Sequence, residues 1–145
     1  KLVQNSIELI NESAIHKSIR ILAEIDESIS VYVDAYMISS VLRNLMNNAV
    51  KYTFHGGKIN IKAIRIEDSQ IEIQITDTGI GIPESMIPNL FELNSGANRN
   101  GTDNEPSTGL GLLICKDFLE MHHSNLRVES KVGKGTTFSF VLPNG

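Results

Sequence analysis

Ile71, Ile73, Ile75 and Asp77 constrain this chain more than any other group of residues. Successive side chains of a strand point to opposite faces, so these four share one face. Isoleucines in that register demand a covering layer, because an apolar sheet face must be buried against another element. A second pattern supplies the cover. Ile38, Val41, Leu42, Leu45, Met46 and Ala49 recur at helical spacing and form one apolar stripe. A one-faced sheet under amphipathic helices satisfies both patterns. Asp77 is the exception within them, since it puts a carboxylate where the alternation calls for another core residue.

The remaining segments fit the same plan. Val3, Ile7 and Ile10 predict a helix over about 2–12. Residues 17–25 alternate through Ile19, Ile21, Ala23 and Ile25, which predicts a strand, with 31–33 as a short partner. Asp34 stands where a helix N-cap belongs, and the helix that follows should end near Thr53, before H-G-G. Residues 58–67 and 70–76 read as two hairpin-linked strands. In the first, apolar parity shifts from Ile59 and Ile61 to Ile64 and Ile66, as a bulge would require. Pro83 can open a short helix to about Leu90. Leu110, Ile114, Phe118 and Met121 mark another helix, and 126–130 and 136–142 are strands around V-G-K-G. The expected class is α+β: a two-layer α/β sandwich with a mixed, mostly antiparallel sheet on about three helices.

Composition excludes several functions. A length of 145 residues suits one domain, 1–145. A net charge of −4 gives no reason to expect nucleic-acid or anionic-lipid binding. One cysteine precludes an internal disulfide framework, and no apolar run reaches membrane-spanning length. The opening K-L-V-Q-N-S-I-E-L-I-N-E is interrupted by acids and is no signal peptide. Residues 1–16 read as including the tail of a preceding linker, so the chain looks excised from something longer.

Three groups of residues exceed what a core needs. On the long helix, Asn44, Asn48 and Lys51 lie within roughly 60° of one another, beside the apolar stripe, whereas Asn47 points outward. An ordinary polar helix edge would explain them. So would a site wall, with amide oxygens for a hydrated magnesium ion and a lysine for phosphate. Asp77 is either a structural salt bridge or cap, or an acceptor for a ligand donor in an apolar recess. Thr136 shares parity with Phe138, Phe140 and Leu142, so its hydroxyl also begins an apolar face. Gly79 and Gly81 would admit backbone close to a flat ligand, or simply turn the chain. S-T-G-L-G-L, 107–112, describes either a plain capped helix start or a phosphate cradle at a helix N-terminus. The stretch 92–108 before it is long, polar and aperiodic, which favours a lid. Neither G-x-x-x-x-G-K-[ST] nor G-x-G-x-x-G after a strand occurs. Cys115 falls inside a helix and reads as buried and inert. The four histidines show no metal-ligand spacing.

In order, N-L-M-N-N-A-V-K-Y-T, D-T-G-I-G-I-P, S-T-G-L-G-L and V-G-K-G-T-T-F resemble the catalytic ATP-binding domain of sensor histidine kinases. The resemblance spans nearly the whole chain, and the lid region looks like a variant found in PAS-linked and hybrid kinases. It implies a Bergerat-type sandwich with a mobile ATP lid at 92–108. Asp77 would accept the adenine amino group. Asn48 would ligand Mg²⁺ on the phosphates, with Asn44 nearby. Lys51 would contact phosphate, and Tyr52 would line the pocket together with Gly79, Gly81, Ile82 and Thr136. Gly109, Leu110, Gly111 and Leu112 would form the lid hinge and phosphate cradle, and Arg99 would reach the terminal phosphate.

The resemblance also implies partners. They are ATP with Mg²⁺, a histidine-containing dimerisation domain, a response regulator or receiver domain, and a homodimeric parent. The setting would be cytoplasmic, with no nucleic-acid or membrane contact by the domain itself. Related ATPases typically carry glutamate four residues before the N-box asparagine. Here that residue is Asn44, which cannot act as a general base. Ser107 replaces a usual glycine, E-L-N-S follows Phe91 where a second phenylalanine is frequent, and H-H-S-N replaces a common H-G-G. No H-E-[LI]-R-T-P-like phosphoacceptor segment is present. Two alternatives remain at this point: a degenerate nucleotide- or partner-binding module, and a Bergerat-fold ATPase.

Overall fold

A computed structural model describes residues 1–67, 69–91, 102 and 110–145. Helix α1 spans Leu2–His16 and strand β1 Arg20–Glu24. Helix α2 spans Ala35–Tyr52, β2 Lys58–Glu67 and β3 Gln70–Asp77. A short 3-10 helix, Glu84–Asn89, precedes α3 at Leu110–Met121, and β4 (Arg127–Lys131) and β5 (Gly135–Pro143) follow. The strands form one sheet in the order β1-β2-β3-β5-β4. β1 and β2 are parallel; the other neighbours are antiparallel. The expected α+β sandwich is therefore present.

Its core lies where the two leading patterns meet. Val41, Leu42, Leu45 and Met46 from α2 are buried with Ile59, Ile61, Ile71, Ile75, Phe140 and Leu142 from the sheet. Asp34 caps α2 by accepting the Met37 N–H at 2.9 Å, an arrangement worth about 1 kcal/mol. The bulge in β2 falls between Arg65 and Glu67, where apolar parity changes.

Two boundaries differ from expectation. Helix α1 continues to His16 because Ser6, Ile10 and Ala14 make a buried stripe at four-residue spacing. Ala14 is small enough to vanish from a hydropathy pattern. Residues 17–19 consequently leave the helix rather than begin a strand. Val31 does not pair with β1; it forms an isolated bridge to Asn144. Among the described residues no helix is long and apolar enough to cross a membrane.

Candidate functional site

Asp77 ends β3 opposite Thr136 of β5, on the helix-facing side of the sheet. Its Oδ1 accepts the Gly79 N–H at 2.8 Å and the Thr136 N–H at 3.3 Å. The carboxylate is thus oriented by backbone, as a buried acid requires.

The loop after Asp77 is held from two directions. The Ile80 N–H donates to Tyr52 O at 3.0 Å, joining the loop to the last turn of α2. The Gly133 N–H donates to Ile80 O at 2.9 Å, joining it to the β4–β5 hairpin. Glycines make these approaches possible. A Cβ on Gly79 would fall 2.2 Å from Tyr52 O, and one on Gly81 would fall 2.2 Å from Lys131 O. Gly81 also has φ +74°, which side chains resist. What both glycines accommodate here is protein backbone.

Ser130 was not expected. Its Oγ accepts the Ile82 N–H at 2.7 Å, donates to Gly135 O at 3.0 Å, and lies 2.7 Å from Thr136 Oγ1. It thereby connects Thr136 to buried Ile82. Parity was the available signal: Ser130 pairs with Thr136 and shares the inward face of β4 with Val128.

The second wall is α2. Asn44 and Asn48 are half-buried, as are Lys51 and Tyr52, whereas Asn47 is exposed. Asn44 Nδ2 donates to Ser40 O at 2.9 Å. Its Oδ1 lies 3.2 Å from where a Cβ on Gly111 would stand, so the first turn of α3 rests against this asparagine. Leu110 is largely exposed there, and Leu112 packs against the core. Lys51 Nζ stands 5.4 Å from the Tyr52 ring centroid. The Ile80 N–H bond to Tyr52 O sets the last turn of α2 beside the loop that follows Asp77, Ser130 joins Thr136 to Ile82, and Gly111 meets Asn44. Arg99, Gly109 and nearly all of 92–108 lie outside the described residues. An open cavity of about 320 Å³ adjoins Asp77 and Thr136 on the hairpin side, lined also by Ser130, Lys131 and Lys134. It does not include the α2 stripe.

Two other side chains are structural. Cys115 is fully buried with Sγ 3.7 Å from Val41 O, and burial pushes its thiol up to about 12. The thiol therefore stays protonated at neutral pH. Ellman's reagent is expected to label Cys115 only after denaturation, with no rise in native-state labelling between pH 7 and 9. His122 Nε2 accepts the Asp34 N–H at 3.1 Å, so Nδ1 carries the proton and donates to Phe118 O at 2.8 Å. This ties the end of α3 to the start of α2, away from the site.

Comparison with known proteins bears on the family and the fold. The family described as histidine kinase-, DNA gyrase B-, and HSP90-like ATPase matches residues 33–145. The adaptive-response sensory kinase SasA of Crocosphaera subtropica is 31% identical over 144 residues, which is 99% of this chain but 37% of that protein. The chain thus spans little more than a third of such relatives. The catalytic domain of histidine kinase ThkA aligns with a TM-score of 0.84 at 27% identity, covering 98% of this chain and 91% of that one. ThkA in complex with response regulator protein TrrA gives 0.79 at 25%, over 99% and 40%. Full-length ShkA in complex with AMPPNP gives 0.82 at 26%, over 99% and 29%. By its sequence match and by its fold, the chain belongs to the histidine kinase-, DNA gyrase B- and HSP90-like ATPase family.

Proposed function

We propose that this chain binds Mg-ATP between α2 and the end of β3. It would supply the γ-phosphoryl group to a histidine on a separate dimerisation domain, in the cytoplasm, within a two-component system. The observation that carries this reading is the Asp77 carboxylate, buried at the sheet's helix-facing side and oriented by Gly79 and Thr136 backbone. A buried, pre-aimed acceptor beside a half-buried asparagine and lysine stripe suits a purine at one end and phosphates at the other. The AMPPNP complex of ShkA supports the ligand, and the TrrA complex of ThkA supports a response regulator as downstream partner.

The donor set fits magnesium. Asn44 Nδ2 is committed to Ser40 O, which leaves Oδ1 as the atom turned toward α3. Asn48 adds a second amide oxygen one turn on. Magnesium takes oxygen ligands and keeps waters and phosphates around it, so a neutral amide pair suffices. When bound, it would neutralise charge developing on the phosphates. The chain's own residues do the positioning. Asp77 and Thr136 fix the base, Asn48 and Lys51 the phosphates, and Tyr52 O holds the β3 loop against α2. Asn44 cannot take a proton from water, so this position supplies no general base for hydrolysis. An imidazole acceptor needs none, because it is already a nucleophile, and transfer then rests on positioning and charge stabilisation.

The test supplies the chain with a histidine-containing dimerisation domain and γ-labelled ATP. Acid-labile label on the added domain is expected, with little phosphate released by the chain alone. Rapid phosphate release without transfer would identify an ATPase instead. Tight ATP binding with neither outcome would identify a regulatory module.

A further inference from the structure

Lys17 is a lysine buried to 2% exposure, immediately after α1. Lysines are almost never buried without partners. Its Nζ donates to Val50 O at 2.9 Å, Lys51 O at 3.0 Å and Thr53 O at 3.3 Å, and lies 2.7 Å from Thr102 Oγ1. The three carbonyls belong to the end of α2. Final helix carbonyls lack partners within the helix, and the helix dipole favours a cation there. Thr102 completes the cluster. Its N–H donates to Lys51 O at 3.0 Å, and its hydroxyl donates to Thr53 O at 3.0 Å. The carbonyl of Lys17 itself accepts the Gly56 N–H at 2.9 Å.

These bonds surround Lys51 and Tyr52, the turn proposed to face the nucleotide. Tyr52 O is held in turn by the Ile80 N–H. One ammonium therefore ties α1, the last turn of α2 and residue 102 together. Among the described residues, none of the hydrogen bonds that orient Asp77 and Thr136 involves it. We propose that Lys17 is a positioning residue for the phosphate end of the nucleotide. It touches no ligand; it sets the last turn of α2, from which Lys51 and Asn48 act. This rests on the nucleotide-site reading above. Because the base is held from β3 and β5, loss of the clamp should affect phosphates and not the base.

The test measures affinity of the chain for Mg-ATP and for AMP by calorimetry, in Lys17→Gln, Lys17→Arg and Thr102→Val. Thr102→Val removes one hydroxyl and keeps the shape, so it is expected to fold normally. It should weaken Mg-ATP about fivefold and leave AMP within about twofold, the scale of coupling through residues that do not touch the ligand. Lys17→Gln should lose more, and Lys17→Arg should recover part of the loss. If Lys17→Gln fails to fold, Thr102→Val decides. Equal weakening of both nucleotides, or no change in either, overturns the proposal. Asn48→Ala separates the two failures. If it leaves Mg-ATP affinity unchanged, the site reading is wrong. If it weakens Mg-ATP while Thr102→Val does not, only the positioning role is wrong.

Discussion

Asp77→Asn is expected to weaken Mg-ATP binding by about 2–3 kcal/mol, the cost of leaving a buried group facing the wrong partner, or roughly 30- to 150-fold. The melting temperature should change little. An asparagine keeps one side-chain oxygen, so Gly79 N and Thr136 N retain their acceptor. The other oxygen becomes an amide NH₂, which only donates. An adenine amino group is also a donor, so the exchange sets donor against donor. A purine with a 6-oxo group should tolerate the change, and the preference for ATP over ITP should shrink or reverse. Unchanged ATP affinity would remove Asp77 from base recognition. A large fall in melting temperature with no nucleotide preference would make it a purely structural acid.

The placement of Asp77 was readable from local pattern, whereas the adenine it is expected to meet is implied by the family resemblance. Alternation alone turned Asp77 and Thr136 inward, but their pairing across β3 and β5 was not legible, because parity gives a face and no partner strand. The α2 stripe was legible too, since the twelve residues 38–49 with 3.6-fold periodicity admit one helix face. Asp34 as N-cap needed only its own neighbours. Lys17 was not legible. Its partners lie 33 to 85 residues away, and a lysine at the head of an alternating stretch looks like the exposed start of a strand. The parallel pairing of β1 with β2 was hidden for a related reason. Five residues carry a facing pattern but no strand direction, and α2 intervenes as the crossover.

The glycines show a subtler gap. D-T-G-I-G marked a close approach, but not to what. Gly79 abuts Tyr52 O and Gly81 abuts Lys131 O, so their first requirement is the joining of loop, helix and hairpin. Gly135, whose Cβ would fall 2.0 Å from Asp77 O, belongs to the same junction. Pocket shape is then inherited from backbone packing. Only a three-dimensional arrangement reveals which backbone is on the other side.

Asn48→Ala tests the opposite end of the site and should separate metal from base. Alanine is the better helix former by about half a kcal/mol, so the variant should be no less stable than the parent chain. Mg-ATP affinity should nevertheless fall at least about tenfold, a loss seen even when a supporting partner of a metal ligand is removed. The informative quantity is the increment that magnesium adds. Titrations with magnesium and with EDTA give that increment for each variant. In Asn48→Ala it should largely vanish, while nucleotide binding in EDTA stays near the parent value. In Asp77→Asn the reverse is expected: both affinities fall and the magnesium increment survives. Asn44→Ala should fall between them, because its amide is partly engaged by Ser40 O and its oxygen side rests against Gly111. If Asn48→Ala lost the same affinity with and without metal, Asn48 would be touching the nucleotide itself. The two asparagines would then be a polar contact surface and the cation would need other ligands.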